Sequence, residues 1–288
     1  MMLETFGART LWAMHPDALG DLLARGTFEA MLPDTLKALA GLGTAAAAKP
    51  QDPIREGATT IIPLTGALSP RGSYNGTSTE RFANQVREAG ADPKVGAIIV
   101  PIMSPGGLVY GTAEAGDAVY EVRQSKPIVA VASPYAFSAA HWIGTRASAF
   151  YASTSAGVGN VGVRGGHVDR SGLEDKIGMK TTLIASSPEK IAGHPYAPLS
   201  DEDRAEMQAE IDEMNQAFVA AIARGRGIAA ADVPGIHGSG RTFTATQAAA
   251  AGVTDGVMTL REAVAKFGSS RNRLTLMRRR AAAMALAI

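Results

Sequence analysis

From Ala58 onward the chain alternates short apolar runs with amphipathic segments. TTIIPLTGAL (59–68) reads as a strand and turn, and TSTERFANQVREAGAD (77–92) as a short amphipathic helix ending near Gly90. VGAIIVPI (95–102) is nearly continuous in apolar residues, the mark of a strand covered on both faces. SPGG (104–107) breaks it, TAEAGDAVYEVRQS (112–125) follows as a helix, and KPIVAVA (126–132) is a second buried strand. SAAHWIGTRA (138–147) reads as a helix, AFYAS (149–153) as a short strand, and TLIAS (182–186) as another ahead of Lys190. Buried strands alternating with helices predict an α/β fold with largely parallel pairing.

The clearest helix spans Leu199 to Arg224. Ser200 is a good N-cap, Asp201, Glu202 and Asp203 complement the dipole in the first turn, and Gly225 and Gly227 end it. Met207, Ile211, Met214, Phe218 and Ile222 form a stripe at helical spacing, which is core packing. RTFTATQAAAAGVTDGV (241–257) adds a strand, a helix and a glycine turn. Residues 1–43 read as a helical arm, with Leu19, Leu22, Leu23, Phe28, Met31, Leu32, Leu36 and Leu39 at roughly helical spacing. Residues 44–57 are small, polar and proline-bearing, a linker; 58–267 form the main domain; 268–288 form a basic tail with five arginines from Arg271 onward and no acid.

Composition removes several functions. In 288 residues the net charge is +1, so bulk charge implies no nucleic-acid partner. Cysteine is absent, and with it disulfides, thiolate metal sites and cysteine nucleophiles. The five histidines have no ligand spacing, so no metal is expected, and no phosphate-binding glycine loop calls for a nucleotide or other cofactor. No apolar run reaches the ~20 residues of a membrane helix, and no secretory leader is read at the start, so no membrane anchor is expected.

Two strand ends carry candidate chemistry. The glycines of SPGG let the backbone turn sharply and bring N–H groups up to a ligand, where such donors can stabilise an oxyanion. Ser138, in SPYAFSAAHWIG, stands where a buried strand meets a helix. Free N–H groups and the helix dipole there favour an alkoxide, but an N-cap serine has the same setting. A nucleophilic serine needs a base. His141, three residues on along the same helix, projects beside the hydroxyl rather than onto it and reads as a packing residue. A lysine serves if desolvation keeps it neutral. Lys190 has apolar neighbours, whereas Lys176 and Lys180 look like surface lysines.

In this order the motifs resemble the signal peptide peptidase-like serine proteases, peptidase family S49. They are a buried strand ending SPGG, PIVAVASPYAFSAAHWIG, GVGNVGV, IASSPEKIAGHPYAPLSDEDRAEMQ and RTFTATQAAAAGVTDGV, covering about Thr59 to Phe267. Two positions depart from the family pattern: Asn160 for a serine and Val253 for a leucine. The resemblance implies a ClpP/crotonase-like fold and a Ser–Lys dyad, with Ser138 as nucleophile and Lys190 as base. It also implies an oxyanion hole from the backbone N–H of Gly106 or Gly107 and of Ala139. Serine and lysine can come from neighbouring subunits of a homo-oligomeric ring. LWAMHPDALGDLLA (11–24) resembles the opening of the phage and prophage branch, which implies processing of scaffold or capsid proteins in the host cytoplasm or a procapsid. A signal-peptide-degrading peptidase, a crotonase-type acyl-CoA enzyme and a non-catalytic capsid component are the alternatives.

Overall fold

The computed structural model describes residues 11–15, 52–72 and 76–267. In chain order these form strands β1 (Trp12–Met14), β2 (Ile54–Glu56), β3 (Thr59–Ile61) and β4 (Leu64–Thr65), then helix α1 (Thr79–Ala91). Next come β5 (Ala97–Ser104), β6 (Gly106–Leu108), α2 (Thr112–Val122), β7 (Ile128–Phe137), α3 (Ala139–Thr145), β8 (Ala149–Ala152) and β9 (Gly157–Gly159). The remainder are α4 (Ser171–Ile177), α5 (Asp201–Arg226), α6 (Val233–His237), β10 (Thr242–Thr244), α7 (Ala245–Ala250) and α8 (Leu260–Phe267).

The main sheet runs β10-β9-β7-β5-β3-β2, with β4 beside β5 and β8 beside β7. Pairing is parallel through its centre and antiparallel only at β2–β3 and β9–β10. The apolar runs behave as their composition dictates. Ala97–Val100 and Ile128–Ala132 are buried throughout, with α1, α2 and α3 contributing to the cluster on one face and α8 packing on Val129 and Val131 on the other. The long helix α5 lies over α3, stacking Phe218 on Trp142 at 4.5 Å between ring centroids.

Helix ends follow their caps. Ser200 Oγ accepts the Asp203 N–H, and Gly227, at φ 68, closes α5 in the left-handed conformation that a side chain would strain. Thr244 and Gln247 close a reciprocal capping box on α7. Three segments differ from the sequence pattern. Ile54–Glu56, inside the expected linker, is a strand paired with β3. TLIAS is not a strand but an exposed loop, with Ile184 95% exposed. Trp12–Met14, inside the expected helical arm, are extended; the rest of the arm and the tail 268–288 lie outside the described residues.

One irregularity positions the site. The β5–β7 register steps from Ile102↔Ala132 to Met103↔Tyr135, leaving Ser133 and Pro134 without partners. Proline has no N–H for the ladder, and a bulge re-aims the strand beyond it. Past the bulge β7 leaves β8 and continues beside β9 as far as Phe137.

Candidate active site

Three strands end together at one edge of the sheet. Ser104 of β5 pairs with Ala136 of β7, so the glycine turn and Ser138 both follow at this end of the sheet, and α3, which Ser138 precedes, packs against β6. Phe137 pairs with Gly159 of β9, which brings Asn160 to the same edge. Carboxyl ends of parallel strands are where open α/β sheets bind ligands.

Ser138 is not acting as a helix cap. It has φ 52 and ψ −119, outside the extended region of an N-cap, and its hydroxyl makes no capping bond to α3. Such a backbone costs a non-glycine residue on the order of 1–3 kcal/mol and persists only where its surroundings impose it. Here Ser138 N–H donates to Gly159 O at 2.8 Å and Ser138 O accepts Trp142 N–H at 2.9 Å, fixing both sides of the residue. The hydroxyl is buried and has no hydrogen-bond partner among the described residues. The next residue, Ala139, opens α3, so its N–H has no acceptor within the helix.

The glycine turn follows β5 at the same end of the sheet. Gly106, at φ 99, donates its N–H to Ser104 Oγ at 3.2 Å, and that hydroxyl in turn donates to Gly66 O at 2.7 Å. Gly107 lies between two strands, bridged to Leu68 on one side and paired with Ala13 of β1 on the other. Leu68 N–H donates to Gly106 O at 3.0 Å and Leu108 N–H to Leu68 O at 2.9 Å. The N–H of Gly107 therefore points away from Leu68.

Asn160 explains its departure from serine. It sits at φ 58, a conformation Asn tolerates better than most side chains, and its Nδ2 donates to Gly240 O at 3.0 Å.

Lys190 is not brought to Ser138 within the chain. It lies in the exposed turn Pro188–Lys190, so the apolar burial read from its neighbours in sequence is absent. The segment bearing it is held to the body by Gly193 N–H on Asp203 Oδ2 at 3.1 Å. No residue of α4 is buried, and Val168, Leu173, Ile177, Met179 and Ile184 are all exposed. Lys176 and Lys180 are exposed as expected.

His141 packs, as its spacing predicts, but with a partner the sequence does not announce. Its Nε2 lies 3.0 Å from His237 Nδ1, and its ring meets Phe150 edge-on. Burial, then the neighbouring His237 and Arg226, hold His141 well below the ordinary 6.5; burial and Arg226 push His237 down to about 4. Both folded values lie below the unfolded value, so the unfolded chain takes up protons first. The stability of the neutral pair is complete above about pH 6.5 and is lost as pH falls toward 4, on the order of 3 kcal/mol for His237. Urea melts across this window should show that loss, and His237→Gln should remove the His237 share of it, leaving only what His141 contributes.

Among the described residues no group of three metal-ligating side chains exists and no helix is long and apolar enough to cross a membrane. Ser138 stands at a strand–helix junction at the sheet end that the glycine turn also follows. A model of peptidase family S49 matches residues 121–272, more than half of the chain. The chain belongs to peptidase family S49. Its α/β architecture, with a central sheet and flanking helices, is consistent with that family's ClpP-like fold.

Among curated S49-like relatives, the chain is 26% identical over 276 residues to capsid assembly protease C of Escherichia phage lambda, covering 92% of this chain and 62% of that protein. It is 28% identical over 217 residues to head-tail preconnector protein GP5 of Enterobacteria phage P21, covering 74% of this chain and 43% of that protein. Protease 4 of Salmonella typhi is 30% identical over 196 residues, covering 68% of this chain and 31% of that protein. The chain thus spans less than two thirds of the length of these relatives.

Proposed function

We propose that the chain is a serine endopeptidase of phage head maturation, cleaving scaffold or capsid proteins in the bacterial host cell or within the procapsid. The observation that carries this is Ser138: a buried hydroxyl, unpartnered among the described residues, on a strained backbone at the sheet end that the glycine turn also follows. Its phage relatives' names, a capsid assembly protease and a head-tail preconnector protein, supply the context. The peptidase domain is residues 58–267, followed by the basic segment 268–288.

In this reading Ser138 Oγ attacks the scissile carbonyl and Lys190 accepts its proton. Gly107 N–H and Ala139 N–H receive the developing oxyanion, since Gly106 N–H is engaged by Ser104. Each such donor is worth on the order of 3 kcal/mol of barrier. Lys190 reaches Ser138 from a neighbouring copy of a homo-oligomer. The exposed apolar residues of α4 and the loop after it support that assembly, because burial against a second copy removes them from water. The same burial supplies the desolvation a lysine base needs.

The test is co-expression with the cognate scaffold protein. Wild type should cleave it and label at Ser138 with a fluorophosphonate. Lys190→Ala should lower cleavage by about 10²–10⁴-fold, the range for a lost general base, while its circular dichroism stays unchanged. Full cleavage by Lys190→Ala would reject the dyad.

A further inference from the structure

The strand β1 runs along the glycine turn. Its residues are fully enclosed, with Leu11 1%, Ala13 0% and Met14 3% exposed. One edge runs antiparallel to β6, in register Trp12↔Leu108, Ala13↔Gly107 and Met14↔Gly106. Val109 N–H donates to Leu11 O at 3.2 Å and His15 N–H to Pro105 O at 2.8 Å. Bonded pairs in an antiparallel ladder alternate, so Ala13 and Gly107 between them occupy the bonding position. The Gly107 N–H, the candidate oxyanion donor, faces the carbonyl of Ala13.

The other edge is held as firmly. Trp12 N–H donates to Arg164 O at 2.9 Å and Arg164 N–H to Trp12 O at 3.0 Å. The segment is thus an extended peptide held between β6 with its flanking residues on one side, which the odd residues bond, and Arg164 on the other, which Trp12 bonds. The Ala13 carbonyl also presses on the turn: a Cβ on Gly106 would stand 2.1 Å from Ala13 O and 3.0 Å from its carbon. Just beyond, the His15 ring lies 5.0 Å from that of Phe137, the residue before Ser138. The same segment that meets the glycine turn therefore passes the nucleophile's strand end.

We propose that residues 11–15 are a substrate-like segment bound in cis and that the Ala13–Met14 peptide bond is a self-cleavage site, an inference that rests on the peptidase reading above. Ser138 Oγ bonds to the Ala13 carbonyl carbon as its proton passes to the Lys190 amine of a neighbouring copy. The carbonyl oxygen takes the C=O electron pair and accepts from Gly107 and Ala139 N–H. Collapse breaks the C–N bond, the Met14 nitrogen takes the proton from Lys190, and Ala13 remains esterified to Ser138. Water then hydrolyses the ester, leaving an Ala13 carboxylate and a free Ser138. Cleavage frees the ladder edge of β6 for a strand of another protein. The register further assigns a small side chain immediately before the cut, where Ala13 is wholly enclosed, and an apolar one two residues earlier, where Leu11 joins the core.

The test follows full-length wild type and Ser138→Ala by intact mass and N-terminal sequencing, alongside turnover of fluorescent casein. The expected result is a new N-terminus at Met14 in wild type, at least about 100-fold slower in Ser138→Ala. Casein turnover should rise as the segment is removed. Wild type that digests casein while keeping everything before Met14 overturns this proposal and leaves the peptidase reading standing. So does a new N-terminus elsewhere, or one that also forms in Ser138→Ala. If wild type neither digests casein nor processes itself, the peptidase reading falls and takes this one with it.

Discussion

Ser138→Ala should abolish peptide hydrolysis, by about 10⁴-fold or more, and at the same time make the protein more stable. The first effect follows from removing the attacking oxygen. The second follows from where that oxygen sits: it is buried, and no group among the described residues hydrogen-bonds to it. An unsatisfied buried hydroxyl costs about 1–3 kcal/mol, and alanine removes it without a large cavity. Ser138→Gly should gain a further ~1 kcal/mol, because glycine occupies φ 52, ψ −119 without a Cβ penalty. Casein turnover and urea midpoints on the three proteins measure both effects together. A less stable Ser138→Ala would mean that the hydroxyl serves the fold, and the reading of a site held ready at the expense of stability would fail.

The parts of this molecule that were legible in the sequence are those set by local chemistry. VGAIIVPI and KPIVAVA announce doubly covered strands because every residue in them must avoid water. Ser200 and Gly227 announce helix ends because caps act within four residues, whereas the Thr244–Gln247 capping box emerges only in the structure. Ser138 and SPGG were visible as strand-end features, but their placement at one end of the sheet depends on the β5–β7 register and the bulge at Ser133–Pro134, which no local pattern encodes. LWAM carried no strand signal of its own. Three residues cannot show an alternation, and their hydrogen bonds go to Pro105, Gly107, Val109 and Arg164, about a hundred positions away or more. TLIAS had the composition of a strand and found no ladder to join. His141 was placed correctly as a packing residue, but its partner His237 is 96 positions distant and is joined by tertiary structure alone.

Gly107→Ala should be the most damaging change among those that keep Ser138 and Lys190 intact. A Cβ at this position would stand 2.0 Å from Leu68 O and 2.5 Å from Leu68 N, both backbone atoms that cannot rotate aside. Relief requires Leu68 to withdraw, which breaks its paired bonds with Gly106 and Leu108 and lets the glycine turn shift. The oxyanion donor then loses its aim, and loss of one donor costs about 10²–10³-fold in kcat. Stability should fall by about 1–3 kcal/mol for the overpacking itself. Gly106→Ala differs in direction: its Cβ collides with Ala13 O, so it expels β1 rather than Leu68, and its φ of 99 adds strain. Gly90→Ala is the control, since its Cβ meets only the methyl groups of Val122 at 2.8 Å, far from the strand ends, and should cost stability without touching kcat. Casein kinetics on the three variants separate the cases. If Gly107→Ala and Gly90→Ala lose stability equally but both keep wild-type kcat, the Gly107 N–H does not bind the oxyanion. A kcat loss confined to Gly107→Ala, with KM little changed, would assign that N–H to the transition state rather than to the hold on the peptide.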